Sequence, residues 1–477
     1  MSDARPLVLD VDGTLLRTDM LYECFWAGMG KDPLAVLRAT YAHIGERQVL
    51  KQKLAEIAQL RVDLLPVNDQ VTALAETAKL DGREVVLASA SDSTLVQAVA
   101  AEHDLSDRVF ASTAERNLKG TEKAAALVEA YGEGGFDYAG NEPVDRAIWD
   151  KAAGAVIVGQ VPRASQALER AGKEVTQLDG GWAFADLIRA LRPHQWVKNV
   201  LLLVPLIASH AFALEPLAWV LLGIVAFSAA ASSIYIVNDL LDLEADRLHA
   251  TKFRRPFASG AVPIKVGMAT FAVLCAFAIG VGAVIGPAFL AAVILYMVLS
   301  LAYSLKLKRM RWIDIATLAA LYTLRVIAGA AAVDVYVSGY LLAFIFPTFL
   351  CLGCVKRLTE VALATTDDRL PGRGYGRADR EDLLNVAVLG ALWSIFIYVL
   401  YSFSPQAIEL YDTRWLLWVA AIFLACWLGR MVLLGYHGKQ DYDPIVFAMR
   451  DKLGLGILMA MLSIMFYAAG LWQQWFS

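Results

Sequence analysis

Two short runs of acids stand out by residue type and spacing. In the first, the apolar stretch Leu7-Val8-Leu9 leads into Asp10-Val11-Asp12-Gly13-Thr14. A strand that delivers two carboxylates to a glycine loop suits covalent chemistry, one carboxylate attacking phosphorus while its neighbour protonates the leaving group. Two carboxylates so close need a cation such as Mg²⁺ to stay ionised together. The second run is Asn238-Asp239-Leu240-Leu241-Asp242-Leu243-Glu244-Ala245-Asp246-Arg247. At helical spacing Asp239, Asp242 and Asp246 fall at i, i+3 and i+7, on one face. Three carboxylates on one stripe repel unless cations lie between them, and oxygen ligands of this kind suit Mg²⁺ shared with substrate phosphates. Nearby Lys252, Arg254 and Arg255 can hold phosphate oxygens or serve as anchors at a membrane face.

Further polar residues fall around these runs. A second apolar strand, Glu84 to Ser91, ends in Ser89, a hydroxyl able to bind a phosphoryl oxygen. Asn117-Leu118-Lys119-Gly120 opens a helix, and the run from Phe136 carries Gly140-Asn141 and Asp145. Farther on come Lys198, then Tyr303 and Lys306, then Asp314 opening an apolar run in which Arg325 is embedded. Asp314, Leu318 and Arg325 share a helix face, because eleven residues is close to three full turns. An arginine that deep in a membrane span is expensive, so it should line a polar cavity and pair with an acid or a phosphate. Lys356-Arg357 follows, and a loop from Asp367 to Asp382 carrying Arg373 and Arg377 reads either as a lid or as a solvated connection.

The elements that must position these residues divide the chain in two. Of 477 residues 58% are hydrophobic and only 19% charged, which disfavours a wholly soluble or disordered chain. Residues 1–185 hold 19 basic and 28 acidic side chains, whereas residues 186–477 hold 24 and 19. That split predicts an acidic soluble half and a membrane half, with no basic face for nucleic acid. The N-terminus lacks the basic and apolar pattern of a signal peptide. Apolar runs long enough to span a bilayer predict nine membrane helices, at roughly 199–214, 217–237, 264–283, 286–305, 312–333, 338–355, 384–404, 415–434 and 454–473. With the N-terminal half inside, the segment leading into the first span, the inner loops and the inner parts of the spans hold 22 of the 24 basic residues. The expected topology is a multi-pass protein of the cell's inner (plasma) membrane, its N-terminal domain cytoplasmic and its C-terminus on the opposite side. Five cysteines show no ligand spacing, and Cys351 and Cys354 read as buried thiols.

From about residue 187 onward the chain resembles the UbiA superfamily of intramembrane prenyltransferases, on the run Asn238 to Asp246. Leu191 to Asn199, Thr251 to Pro256, Leu324 to Gly329, Lys356-Arg357 and Ala448 to Asp451 are similar to its decaprenyl-phosphate phosphoribosyltransferase branch. Quinone-type members carry a second Asp-x-x-x-Asp, but here Leu318 replaces the acid that would follow Asp314. Residues 5–160 resemble the haloacid dehalogenase superfamily, with a helical cap at about 17–75. Its fourth motif usually starts Gly-Asp, where this chain has Gly140-Asn141.

These resemblances imply an α/β doubly wound domain over 1–160, a linker and membrane-surface helix over 161–190, and an all-α membrane domain over 191–477. In the first, Asp10 is the nucleophile, Asp12 the general acid/base, Ser89 the phosphate-binding hydroxyl and Lys119 the charge stabiliser, with Asp10, Asp12 and Asn141 holding Mg²⁺. In the second, Asp239, Asp242 and Asp246 hold Mg²⁺ with Asn238 beside them, and Asp314 is a further metal ligand. Lys198 and Arg325 are candidates for placing a lipid phosphate. Arg254, Arg255, Lys356 and Arg357 are candidates, interchangeable at this level, for gripping a sugar 5-phosphate, and Tyr303 and Lys306 for binding substrate. The implied reaction moves 5-phosphoribose from phosphoribosyl diphosphate to a polyprenyl phosphate, the fused phosphatase acting on the product. The alternative is transfer of a prenyl group from prenyl diphosphate to an aromatic acceptor.

Overall fold

The computed structural model describes residues 5–113, 116–210, 212–364, 368–370, 373–440 and 443–476. It divides into two compact units, one comprising 1–191 with 235–271 and the other 192–234 with 272–477. Within the loop read as a lid or connection, Asp367, Pro371 and Gly372 lie outside the described residues.

The first unit is built on a six-stranded sheet: β1 (Leu7–Leu9), β2 (Val85–Asp92), β3 (Val109–Ser112), β4 (Asp137–Gly140), β5 (Gly154–Val158) and β6 (Glu174–Leu178). All strands pair in parallel in the order β3-β2-β1-β4-β5-β6. Alternation along β1 sets two cores. Leu7 and Leu9 pack with Val71, Leu87 and Val96 on one face, and Val8 packs with Leu127, Tyr138 and Trp149 on the other. Strand order reverses at the β1/β4 boundary, and there the carboxyl ends of the strands open the crevice where doubly wound sheets bind ligands.

Three helices, α1 (Met20–Lys31), α2 (Pro33–His43) and α3 (Arg47–Ala58), form the cap around Cys24, Val36, Leu54 and Ala58. Asp19 caps α1 by accepting from Leu21 N, and Asp32 caps α2, where Pro33 supplies the first helical position. The next helix, α4 (Asp69–Leu80), lies on the sheet through Val71, Ala75 and Ala78 rather than in the cap cluster. Helices α5 (Ser93–Glu102) and α6 (Thr121–Tyr131) complete the layers that position the site.

From residue 214 onward, seven helices among the described residues are long and apolar enough to cross a membrane: Leu214–Leu241, Ile264–Ile285, Pro287–Leu305, Ile313–Ala332, Gly339–Ala362, Arg377–Tyr401 and Trp415–Tyr436. The expected count of nine is not confirmed: the first and last expected spans are not among these seven. Residues 193–208 form a tight 3-10 segment, Pro193–Leu203, and a five-residue helix that has Pro205 in its first turn. Pro193 opens the 3-10 segment, and Pro205, which lacks a backbone donor, starts a new short helix instead of continuing it. At the other end Lys452–Ala468 is an apolar helix of 17 residues. Helix Ile313–Ala332 is the most enclosed of the seven, with 78% of its apolar window buried.

Candidate functional sites

In the α/β unit, Asp10 and Asp12 stand at the loop leaving β1. Gly13 makes the turn at φ +76°, and a Cβ there would lie 2.2 Å from Asn141 Nδ2, so the loop closes on Asn141 only because position 13 has no side chain. Three donors hold Asp12: Met20 N at 2.8 Å on Oδ1, and Ser89 Oγ at 3.2 Å and Ser91 Oγ at 2.7 Å on Oδ2. Thr14 Oγ1 donates to Asn141 Oδ1 at 3.2 Å. Asp145 fixes the loop after β4 by accepting from Asn141 N and Glu142 N. Ser91 joins Ser89 because two residues along a strand return to the same face.

The lysine expected to stabilise charge is displaced by one helical turn. Lys119 precedes α6, is half exposed and lies 3.9 Å from Glu142. Lys123, inside α6 and buried, donates to Asp10 Oδ1 at 2.8 Å, Ala88 O at 3.0 Å and Tyr138 Oη at 3.0 Å. Gly120 is the N-cap of α6, so Lys119 lies outside the helix while Lys123 faces the core with Ala124 and Leu127. From the cap, Lys51 Nζ reaches Ala90 O at 2.5 Å, between the two serines.

Negative charge exceeds positive charge around Asp10. Its carboxyl is pushed up to about 7, first by burial and then by Asp145 and Asp12, against the pull of Lys123. Asp19 rises to about 7 through burial and the charge of Asp12. These all-oxygen donors and their surplus charge fit a hard divalent cation. Because Asp10 binds its proton more tightly folded than at its ordinary value of 3.8, it favours the folded state fully below about pH 4, and that contribution is lost as pH rises through about 7. In chelator, Tm is expected to fall as pH rises from about 5 to about 7.5, and added Mg²⁺ to flatten the fall. A Tm that climbs across that window contradicts this account of Asp10.

Beside these residues a cleft of about 370 Å³ is lined by Gly13, Asn141, Gly159 and Gly180, at the carboxyl ends of β1, β4, β5 and β6, and by Arg17 and Gln70. Its volume is in the range of small-ligand pockets.

The second acid run does not form one helix. Asp239 lies in the last turn of Leu214–Leu241, the chain bends at Asp242 (φ −101°, ψ 13°), and Asp246 belongs to the short helix Leu243–Leu248. The expected stripe is thus split, although backbone bonds continue from Asp242 N to Asn238 O and from Asp246 N to Asp242 O. Buried Asp239 and Asp246 come together through Arg255, whose Nη1 donates to Asp239 Oδ1 at 3.1 Å and Asp246 Oδ2 at 2.7 Å. Asp246 is raised by burial, against the pull of Arg255. Asp242 is half-buried at the bend. Arg254 is exposed, its guanidinium 5.3 Å from the Phe253 ring.

Among the described residues no three acidic, histidine or cysteine side chains converge as a ready metal cage. Asn238 Oδ1, however, is buried with no hydrogen-bond partner among them. An oxygen left so beside Asp239, with Asp239 and Asp246 sharing Arg255, fits a hard metal ion better than a closed structural cluster does.

Three polar clusters lie in the membrane unit. Arg325, buried, donates to Asn199 Oδ1 at 3.0 Å, Leu321 O at 2.7 Å and Tyr296 Oη at 3.0 Å, with the Tyr296 ring 4.7 Å from its guanidinium. Asp314 is not the partner of Arg325. It is fully buried against Arg357, with Nε to Oδ2 at 2.6 Å and Nη2 to Oδ1 at 2.9 Å, and receives Tyr303 Oη at 2.9 Å; Arg373 lies 3.5 Å away. Asp314, expected as a metal ligand, is here neutralised by Arg357, and Arg357, expected to grip a sugar phosphate, is fully buried and also bonded to Glu360. Lys306 is exposed at the end of helix Pro287–Leu305.

The third cluster centres on Asp443, which the sequence reading passed over. Lys198 Nζ lies 2.8 Å and Lys356 Nζ 3.5 Å from Asp443 Oδ2, and Tyr322 Oη donates to the same carboxylate. Burial opposes its ionisation, but attraction to both lysines and the bonds from Lys198 and Tyr322 hold Asp443 well below the ordinary carboxylate range. The signal was present as Asp443-Pro444, an N-cap before a proline that opens a helix. A separate apolar cavity of about 620 Å³, lined by residues that include Pro205, Phe344, Tyr398, Leu458 and Met465, is large enough for part of a lipid chain.

An apolar helical unit with buried lysine and arginine clusters, in a chain that also carries an acid-rich run, fits a membrane enzyme that handles charged substrates. Residues 200–450 match the UbiA prenyltransferase family, and the chain belongs to that family. It is 34% identical over 468 residues to the uncharacterized protein y4nM of Sinorhizobium fredii, covering 96% of this chain and 90% of that one. It is 35% identical over 274 residues to the decaprenyl-phosphate phosphoribosyltransferase of Mycobacterium tuberculosis, covering 56% of this chain and 89% of that enzyme. Among solved structures, a HAD family hydrolase of Salmonella enterica is similar at 13% identity, over 36% of this chain and 68% of that one, with a TM-score of 0.29. The protein is a multi-pass membrane enzyme of the UbiA family that also carries an N-terminal parallel-sheet α/β unit.

Proposed function

We propose that the membrane unit moves 5-phosphoribose from phosphoribosyl diphosphate to a polyprenyl phosphate, and that the α/β unit then removes the 5-phosphate. The observation that carries this reading is the similarity to decaprenyl-phosphate phosphoribosyltransferase along 89% of that enzyme's length. The closed Asp314–Arg357 pair supports it over alkylation of an aromatic acceptor, since among the described residues no second acidic cluster is left to clamp a prenyl diphosphate.

In the transfer, a lipid phosphate oxygen attacks C1 of the ribose, the bond from C1 to the diphosphate breaks, and diphosphate leaves. Asn238, Asp239, Asp242 and Asp246 would hold Mg²⁺, which when bound neutralises the leaving diphosphate. Lys198, Lys356 and Arg325 supply cations for the lipid phosphate, the two lysines being held in place by Asp443. In the phosphatase step the Asp10 carboxylate attacks the 5-phosphate phosphorus while Asp12 gives a proton to the departing ribose oxygen; a water then hydrolyses the aspartyl phosphate as Asp12 takes its proton back. Lys123 balances charge on Asp10 and Ser89 binds a phosphoryl oxygen. Both sites handle their substrates from the cytoplasmic side, in keeping with the basic bias of the inner loops. A lipid product that stays in the membrane meets a tethered phosphatase at high effective concentration.

Purified protein in detergent with Mg²⁺, phosphoribosyl diphosphate and polyprenyl phosphate tests this, with mass spectrometry of the lipid. Wild type is expected to yield ribosylated lipid without the 5-phosphate, Asp10→Asn to yield it with the 5-phosphate, and Asp239→Asn to yield neither. No ribosylated lipid from wild type, together with prenylation of an aromatic acceptor from prenyl diphosphate, would overturn the reading.

A further inference from the structure

Helix α1 of the cap carries a buried acid that the phosphatase chemistry leaves unused. Glu23 accepts from Thr18 Oγ1 at 2.6 Å, and Arg247 grips both of its oxygens, Nη2 to Oε1 at 2.6 Å and Nη1 to Oε2 at 3.0 Å. The side chains are only 2% and 7% exposed. Arg247 is held at its third edge as well, Nε donating to Ala258 O at 3.0 Å. A buried ion pair of this kind contributes little net stability over apolar packing, because both charges are desolvated; what a planar, bidentate pair supplies is fixed geometry.

What it fixes is the acid-rich arm. Arg247 directly follows Asp246, whose carboxylate shares Arg255 with Asp239. The arm is anchored a second time at Gly260, φ +69°, where a Cβ would come within 2.6 Å of Arg17 Cβ. Both contacts come from one stretch of the α/β unit, residues 17–23, immediately after the Asp10–Asp12 loop. The run that carries Asp239, Asp242 and Asp246 is therefore tied at Arg247 and at Gly260 to the segment leading into the cap.

We propose that Glu23 is a positioning residue for the diphosphate-binding arm: by holding Arg247 it sets the orientation in which Asp246 and Asp239 receive a divalent cation and a diphosphate. The proposal rests on the reading of Asp239 to Asp246 as that site. It makes a side chain of the phosphatase-like unit part of the transferase, although it touches no substrate itself.

The test uses the full-length protein in detergent. Binding of inorganic diphosphate with Mg²⁺ is measured by calorimetry, KM for phosphoribosyl diphosphate by turnover, and hydrolysis of ribose 5-phosphate as a readout of the α/β unit's own site. Glu23→Gln keeps shape and removes charge. It is expected to weaken diphosphate binding about tenfold, the scale of losses seen when an outer partner of a metal ligand is removed, and to raise KM similarly, with phosphatase turnover within twofold of wild type. Arg247→Gln should do the same, and the double variant should be no worse than the poorer single one, since both break one interaction. Unchanged diphosphate binding in Glu23→Gln overturns the proposal, as does a parallel loss of both activities or full additivity in the double variant. If wild type and Asp239→Asn bind diphosphate equally, the reading of the arm itself falls and the proposal falls with it.

Discussion

Lys123→Met is expected to lower phosphatase turnover by about 10²–10³-fold, the cost of removing one charged group aimed at developing charge in an enclosed site, whereas Lys119→Met stays within a few-fold of wild type. The difference follows from burial. Lys123 is enclosed, bonded to Asp10, the Ala88 carbonyl and Tyr138, and its hydrogen bonds form in a low-dielectric site where charge counts for more. Lys119 is half exposed and 3.9 Å from Glu142, so water screens most of its effect on the reaction. Initial rates on ribose 5-phosphate for the two variants decide the matter. Equal losses would return the stabilising role to Lys119, and no loss in Lys123→Met would remove Asp10 from the role of nucleophile, because that role requires a balancing cation.

The largest effect on stability is expected at Arg357→Met. Its guanidinium and the Asp314 carboxylate are both fully buried, and removing one member of such a pair leaves an uncompensated charge, at a cost of about 3–5 kcal/mol. Arg373, 3.5 Å from Asp314, replaces only part of the lost attraction. The double variant Asp314→Asn with Arg357→Met should unfold at a higher temperature than Arg357→Met alone, since no buried charge is then orphaned. Thermal unfolding in detergent measures both. A double variant less stable than either single one would mean that Asp314 and Arg357 act independently, contrary to their two direct hydrogen bonds.

The parts of this protein that its sequence alone determined are those governed by neighbours along the chain. Leu7-Val8-Leu9 running into Asp10 and Asp12 is a buried strand ending in a loop, because a continuous apolar run suits a parallel strand covered on both faces and glycine allows the turn. The long apolar runs between residues 214 and 436 are membrane helices, because hydrocarbon tolerates no unpaired backbone and each run carries enough apolar surface. The acids of Asn238 to Asp246 suggested, by type and spacing, a cation shared with substrate phosphates.

Tertiary structure decided which charge meets which. Position in α6, not proximity to a motif, put Lys123 rather than Lys119 on Asp10. Asp314 and Arg325, on one helix face eleven residues apart, found separate partners in Arg357 and Asn199, both from other elements. Asp443 gathered Lys198 from 245 positions away. The bend at Asp242 split the acid stripe that helical spacing had drawn as continuous, and Pro205 lies inside the first expected span. Periodicity reports only which side of an element is apolar, while the energy of a buried charge depends on the distance to its counter-charge, and that distance exists only once the chain is folded.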